Sequence, residues 1–154
     1  MTSREFVLET MYKWGQSAAE ALQKKSAELT GTELNAEKKY IPAFKAACAH
    51  KNMKDRSAGF ICKSSSGRVV RLLTPYNSTV YTAEPEELGS LWGFVWSKDP
   101  RHALLFVAIS TSPYMKGDCC IDPVDGLPYR SKVDNNVHAP SAWKEGWEVA
   151  TDAG

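Results

Sequence analysis

Four cysteines, three histidines and 18 acidic residues are the side chains of this 154-residue chain with the most reactive chemistry to offer. Cys48, Cys62, Cys119 and Cys120 show no C-x-x-C spacing, and no His stands at a zinc-finger distance from them. Cys48 and His50 are two apart, which alone makes no site. Reduced, mostly buried thiols are therefore expected, with neither metal nor cofactor. Adjacent Cys119 and Cys120 would point to opposite faces of a strand, so a disulfide between them would be strained. His50, His102 and His138 are scattered without a partnered Ser or Cys, and the chain lacks a nucleophile elbow, a phosphate loop and H-E-x-x-H. Asp118, Asp122 and Asp125 lie close together without calcium-loop spacing, and Asp125-Gly126 reads as a hairpin turn. Glu84, Glu86 and Glu87 flank Pro85 in a solvated loop, and nothing singles out a carboxylate pair for glycoside hydrolysis. The expectation is binding and not an enzyme.

Rings and cations are the groups left to bind with. Trp143 sits in a polar loop, Ser141-Ala142-Trp143-Lys144-Glu145, where a core role is not obvious, and His138 and Tyr114 are further ligand candidates. Tyr76 and Tyr81 occupy another polar loop, either as ligand contacts or as tyrosines snorkelling over a sheet edge. Trp147 and Tyr129 are expected in the core. Lys51, Lys54, Arg56, Lys63, Arg68 and Arg71 oppose only Asp55 over residues 51–71. Lys54, Arg56, Lys63, Arg68 and Arg71 are thus a candidate basic surface for an acidic protein, a nucleic acid or a phosphorylated polymer, with a plain solvated face as the alternative. Over the whole chain 19 Lys+Arg meet 18 Asp+Glu. That balance excludes the field of a general nucleic-acid binder, and nucleic acid is not an expected partner.

The elements that must position these groups change character near Lys51. Residues 4–29 read as one amphipathic helix: Thr2 and Glu5 have capping-box spacing, and Val7, Met11, Trp14, Ala18, Ala21 and Leu22 share one face. Thr30-Gly31 reads as its stop, Thr32 as the cap of a second helix from about Glu33 to Lys39, and Pro42 as the first turn of a third, with Phe44 and Ala47 or Cys48 facing inward. The long helix offers its apolar face to the rest of the chain or to other copies, which would make a homo-oligomer. After Lys51 the apolar period drops toward two. Strands are expected at Gly59–Cys62, Val69–Thr74, Thr79–Thr82, Trp92–Ser97, Ala103–Ser110, Asp118–Ile121, Leu127–Lys132 and Trp147–Ala150. No apolar run approaches a membrane span, and the first residues lack the apolar stretch of a secretory signal. Cytoplasmic synthesis is expected, without membrane association and compatible with later incorporation into a particle.

An internal repeat organises this β region. G-F-I-C-K-S-S-S-G-R-V-V-R from Gly59 to Arg71 reaches Asn77 and closes with Trp92-Gly93-Phe94. G-D-C-C-I-D-P-V-D-G-L-P-Y-R from Gly117 to Arg130 reaches Asn136 and closes with Trp147-Glu148-Val149. Gly, Cys, Gly, Arg, Asn and Trp recur in one order. Each unit is expected to be a hairpin with a loop returning to a third strand, plugged by its Trp. The fold class is then α+β: a helical segment (1–50), a first antiparallel β unit (51–112) and a second (113–154).

The second unit carries Y-x-x-G-D at Tyr114–Asp118, G-x-x-Y at Gly126–Tyr129, Ser131, Pro140 and W-x-V at Trp147–Val149. On these residues it resembles the small chitin-binding type module of carbohydrate-binding families 5 and 12, over Pro113 to Ala150. Copies of that module occur widely in bacteriophage and prophage proteins, and the whole chain is similar to short prophage-encoded accessory proteins. The resemblance implies a module-like mini-sheet that binds sugar on exposed rings. It also departs from the family, because Lys132-Val133-Asp134-Asn135-Asn136 carries no ring where the module presents its flat stacking surface. The resemblance implies a virion accessory protein with a weak surface for glycans. Alternatives are a structural virion protein that contacts other virion proteins without binding glycan, and an intracellular phage inhibitor of a host defence complex.

Overall fold

The computed structural model describes residues 20–150, and the face of Val7, Met11, Trp14 and Ala18 lies outside them. The chain is helical from residue 20, where the description begins, through 25 (α1), and tightens into a 3-10 turn at Ser26–Glu28. The second helix, α2 (Gly31–Ala36), is capped by Thr30 and not by Thr32. The Thr30 hydroxyl accepts from Glu33 N (3.2 Å) while Glu33 Oε1 accepts from Thr30 N (3.0 Å). Thr32 instead accepts from Lys98 N (2.9 Å). Gly31, expected as a stop, opens the helix because a Cβ there would overlap the Trp96 carbonyl oxygen, so only glycine lets α2 lie this close. Helix α3 (Phe44–His50) starts after Pro42, whose carbonyl accepts from Lys63 N (2.9 Å) and ties the helix entry to the first sheet.

Six of the expected strands form, in two three-stranded antiparallel meanders. The first is β1 (Ile61–Lys63), β2 (Val69–Leu72) and β3 (Trp92–Phe94). The second is β4 (Cys119–Ile121), β5 (Pro128–Ser131) and β6 (Trp147–Val149). Stretch 79–82 is a turn instead, because Asn77 Oδ1 takes both Thr79 N and the Thr79 hydroxyl, and its carbonyl takes the N–H groups of Val80 and Tyr81. Stretch 103–110 makes only an isolated parallel bridge, Leu105 to Ile121, along the edge of β4.

The two units repeat bond for bond. Gly59 N donates to Leu72 O (2.7 Å) as Gly117 N donates to Ser131 O (2.9 Å), and Ser64 N to Arg68 O (2.8 Å) as Asp122 N to Leu127 O (3.0 Å). Gly59 and Gly117 have φ of 99° and 96°, and Gly67 and Gly126 of 84° and 74°, conformations that explain why glycine recurs at these four places.

Period-two alternation sends the side chains of each sheet to two cores. Cys62, Val70, Leu72, Trp92 and Phe94 face Phe44, Ala47 and Met53, with Phe44 and Tyr76 edge-on to the Trp92 ring. Ile61 and Val69 face the other way, onto Leu22, Leu34 and Ile41. In the second sheet Cys120 and Trp147 pack with Tyr114, while Cys119 packs with Ala103 and Ala150 on the opposite face. A run of stacked rings joins the units: Phe94 on Trp96 (5.6 Å), Trp96 on Tyr114 (4.3 Å) and Tyr114 on Phe106 (5.3 Å). Among the described residues no helix is long and apolar enough to cross a membrane.

Candidate functional site

The Y-x-x-G-D stretch is a turn lock. Asp118 Oδ2 accepts from Met115 N (2.8 Å), and Lys98 Nζ reaches both Asp118 Oδ1 (3.4 Å) and Lys116 O (2.9 Å). Burial raises the Asp118 carboxyl above the usual carboxylate range against the opposing pull of the Met115 N–H and the Lys98 ammonium. Tyr114 itself is 1% exposed, and its backbone exchanges two hydrogen bonds with Asn136 (2.9 and 2.8 Å). It is a core ring, which corrects its expected role as a ligand contact. Tyr76, 7% exposed, is likewise corrected: its hydroxyl accepts from Trp92 Nε1 (3.0 Å), so the ring serves the first plug. Tyr81 is 57% exposed, in the loop after the Asn77 turn, and does not line the groove that Trp143 and His138 border.

Trp143 and His138 come together. Their rings meet edge-to-face at 5.8 Å, and the loops that hold them are pinned from below. Buried Asp122 takes the Ser141 hydroxyl (3.0 Å) on Oδ1 and Asp125 N (3.2 Å) on Oδ2, fixing the approach to Trp143. Asn136 accepts from His138 N (3.1 Å), donates to Ser131 Oγ (3.1 Å) and to Gly146 O (3.3 Å), and so ties three segments at once. The His138 carbonyl accepts from Trp147 Nε1 (2.7 Å), which holds the backbone while the imidazole stays in solvent. Trp143 lies over Gly146, where an added methyl would overlap the indole.

These rings border an open groove of about 490 Å³ lined by Val133, Asp134, Asn135, His138, Ala142 and Trp143. Trp143 is 37% exposed. The indole N–H groups of Trp92, Trp96 and Trp147 are bound by Tyr76, Ser112 and His138. Among the described tryptophans, Trp143 is the one whose indole N–H has no protein acceptor. A half-presented ring with a free donor, beside a carboxylate, a carboxamide and an imidazole, can stack on one face of a ligand and hydrogen-bond its rim. Asp134 and Asn135 are not singled out by the sequence, in which their stretch stands out for its missing ring. The usable signal was its place, directly after the G-x-x-Y strand.

The basic segment is largely committed inside the molecule. Arg71 Nη2 donates to Ser26 O (2.9 Å), Arg56 Nη2 to Ala47 O (2.9 Å) and Lys63 Nζ to Lys38 O (3.1 Å). Each of these acceptors is a backbone carbonyl in or beside a helical segment of the N-terminal third, so the cations tie the first sheet and its flanking loop to the helices. Buried Arg68 pairs with Glu86 (2.9 Å) and donates to Leu105 O (2.6 Å). Of the expected partner surface, Lys54 stays exposed, and Arg56, Lys63, Arg68 and Arg71 act as internal ties.

The thiols offer little reactivity. Cys62, Cys119 and Cys120 are buried and Cys48 half-buried, and burial raises all four above the ordinary thiol range. Among the described residues no group of three or more His, Cys, Asp or Glu is placed to hold a metal ion. Compared with protein-family models, with curated proteins and with solved structures, the chain has no match.

Proposed function

We propose that this is a non-catalytic binding protein whose C-terminal unit holds a saccharide in the Trp143 groove, and that it serves as an accessory protein of a bacteriophage or prophage particle displaying that groove toward surface glycans. The observation that carries the reading is Trp143, an exposed indole with an unspent N–H in a unit whose other tryptophan is buried and bonded. The C–H face of a pyranose lies on such a ring, and Asn135, Asp134 and His138 offer donors and acceptors for its hydroxyls. The module-like motifs of residues 113–150 support the same reading. A single ring makes a weak site, which many copies on one particle would offset.

A glycan array probed with the full chain tests it. Trp143→Ala should abolish retention while leaving the melting transition in place, because the ring is not in the core. Retention that survives the substitution would remove Trp143 from the site. A second reading, a structural protein docking on other proteins, draws on exposed Val124, Leu127 and Val149, all on the second unit. It predicts no glycan retention and recovery of the chain in purified particles. The inhibitor reading loses support because most of the basic segment is bonded within the fold.

A further inference from the structure

Resting on the reading of the groove as a saccharide site, we infer that Asp134 sets its selectivity: the groove takes uncharged, hydroxyl-rich saccharides and turns away carboxylated, sulfated or phosphorylated ones. Asp134 and Asn135 occupy the stretch where the resemblance calls for a flat stacking surface. The groove lining holds one carboxylate and no Lys or Arg. Asp134 Oδ1 accepts from Lys116 N (2.9 Å), which fixes the carboxylate and leaves Oδ2 without a protein donor. Asn135 is held at φ 56°, the one non-glycine residue at positive φ among those described. Asparagine tolerates that conformation better than most residues do. Its backbone N–H has only the Met115 sulfur (3.5 Å) as partner, and its carboxamide has no protein partner.

A carboxylate accepts two O–H groups, and a neighbouring carboxamide both donates and accepts. Together they match vicinal hydroxyls, which also do both. An anionic substituent brought to the same place faces the Asp134 charge with no Lys or Arg in the lining to offset it. The site trades the area of a second ring for a repulsive element, and specificity arises as much from what that element refuses as from what the groove holds.

Affinity gel electrophoresis of the full chain at fixed ionic strength tests this. The gels contain hydroxyethyl cellulose or glycol chitin, both neutral, or the carboxymethyl forms of the same backbones. The wild-type chain should be retarded by a neutral polymer and bind its carboxymethyl form about tenfold more weakly. Asp134→Asn keeps an Oδ1 for the Lys116 N–H, removes the charge and turns the Oδ2 acceptor into an N–H donor, so neutral binding can weaken but the ratio between the two forms should move toward one. Trp143→Ala should abolish retardation by both forms. Suppose neutral retardation is lost in Trp143→Ala, yet the carboxymethyl form binds the wild type equally well or Asp134→Asn leaves the ratio unchanged. The role of Asp134 is then overturned and the groove stands. Absence of neutral retardation, or retardation indifferent to Trp143, overturns the groove and the inference together.

Discussion

The two β units run on one hydrogen-bond scheme and use it differently. In the first, Trp92 is closed in by Phe44 and Tyr76, its N–H is spent on the Tyr76 hydroxyl, and helices cover the sheet. In the second, Trp147 donates to a backbone carbonyl, so the residue that supplies it, His138, keeps its ring in solvent. Buried Pro85 and Pro140 precede the two plugs at the same distance. The residue four before the plug is Leu88 in one unit, packed against the core, and Trp143 in the other, half in solvent. A scaffold satisfied by main chain leaves side-chain positions free for binding, whereas one satisfied by side chains spends them on the core. The tie between hairpin and return loop is even inverted. Ser64 donates its hydroxyl to Glu86 Oε2 (2.8 Å), and Asp122 receives one from Ser141 (3.0 Å).

Removing the plugs should produce the largest effect and split the units. Trp147→Ala should cost roughly 3–5 kcal/mol and unfold the second unit. Trp92→Ala should cost at least as much, since it also strips the buried Tyr76 hydroxyl of its donor. Thermal melts followed by circular dichroism decide this, and a Trp147→Ala chain that melts like the wild type would break the equivalence of the two plugs.

The inverted tie predicts a rescue of intermediate size. Ser64→Asp alone sets a second carboxylate against Glu86 and should destabilise by about 1–3 kcal/mol. Adding Glu86→Ser recreates the second unit's arrangement, keeps a carboxylate near Arg68, and should restore most of the loss in chemical denaturation. A double variant no better than the single would mean that the shared scheme does not extend to side chains.

The smallest effect is at the hairpin tips. Asp125 accepts from the Tyr129 hydroxyl (2.5 Å) and Leu127 N (2.9 Å), which holds its carboxyl below the usual range and pushes the phenol up to about 12. A depressed carboxylate contributes stability above its unfolded pKa and loses it as pH falls through the folded one. Tyr129→Phe should therefore lower the melting temperature slightly at neutral pH, and the gap to the wild type should close on acidification below about pH 4. A gap constant down to pH 2 would place the tip's stability elsewhere.

The α+β class, the two meanders and both plugs were readable because they rest on local necessities. Four glycines recur where φ is positive, and two tryptophans are the largest apolar groups in units too small to do without them. What escaped depended on partners far along the chain. Arg71 looks like a surface cation until Ser26 O is beside it, and Tyr114 looks presentable until Trp96 covers it. The apolar run 103–110 reads as a strand, yet its residues serve separate clusters, Ala103 one core and Ile109 another, so no ladder forms. The groove was half legible: Trp143 stood out by its polar loop, and the polar pair facing it did not.

The ring run Phe94–Trp96–Tyr114–Phe106 has a mechanical consequence. With Trp96 nearly parallel to Tyr114, and Arg68 reaching from the first unit to the Leu105 carbonyl, the junction has no free pivot. A pull on the second unit should therefore pass through the stacked rings into the first sheet and the helices packed on it, as along a strut.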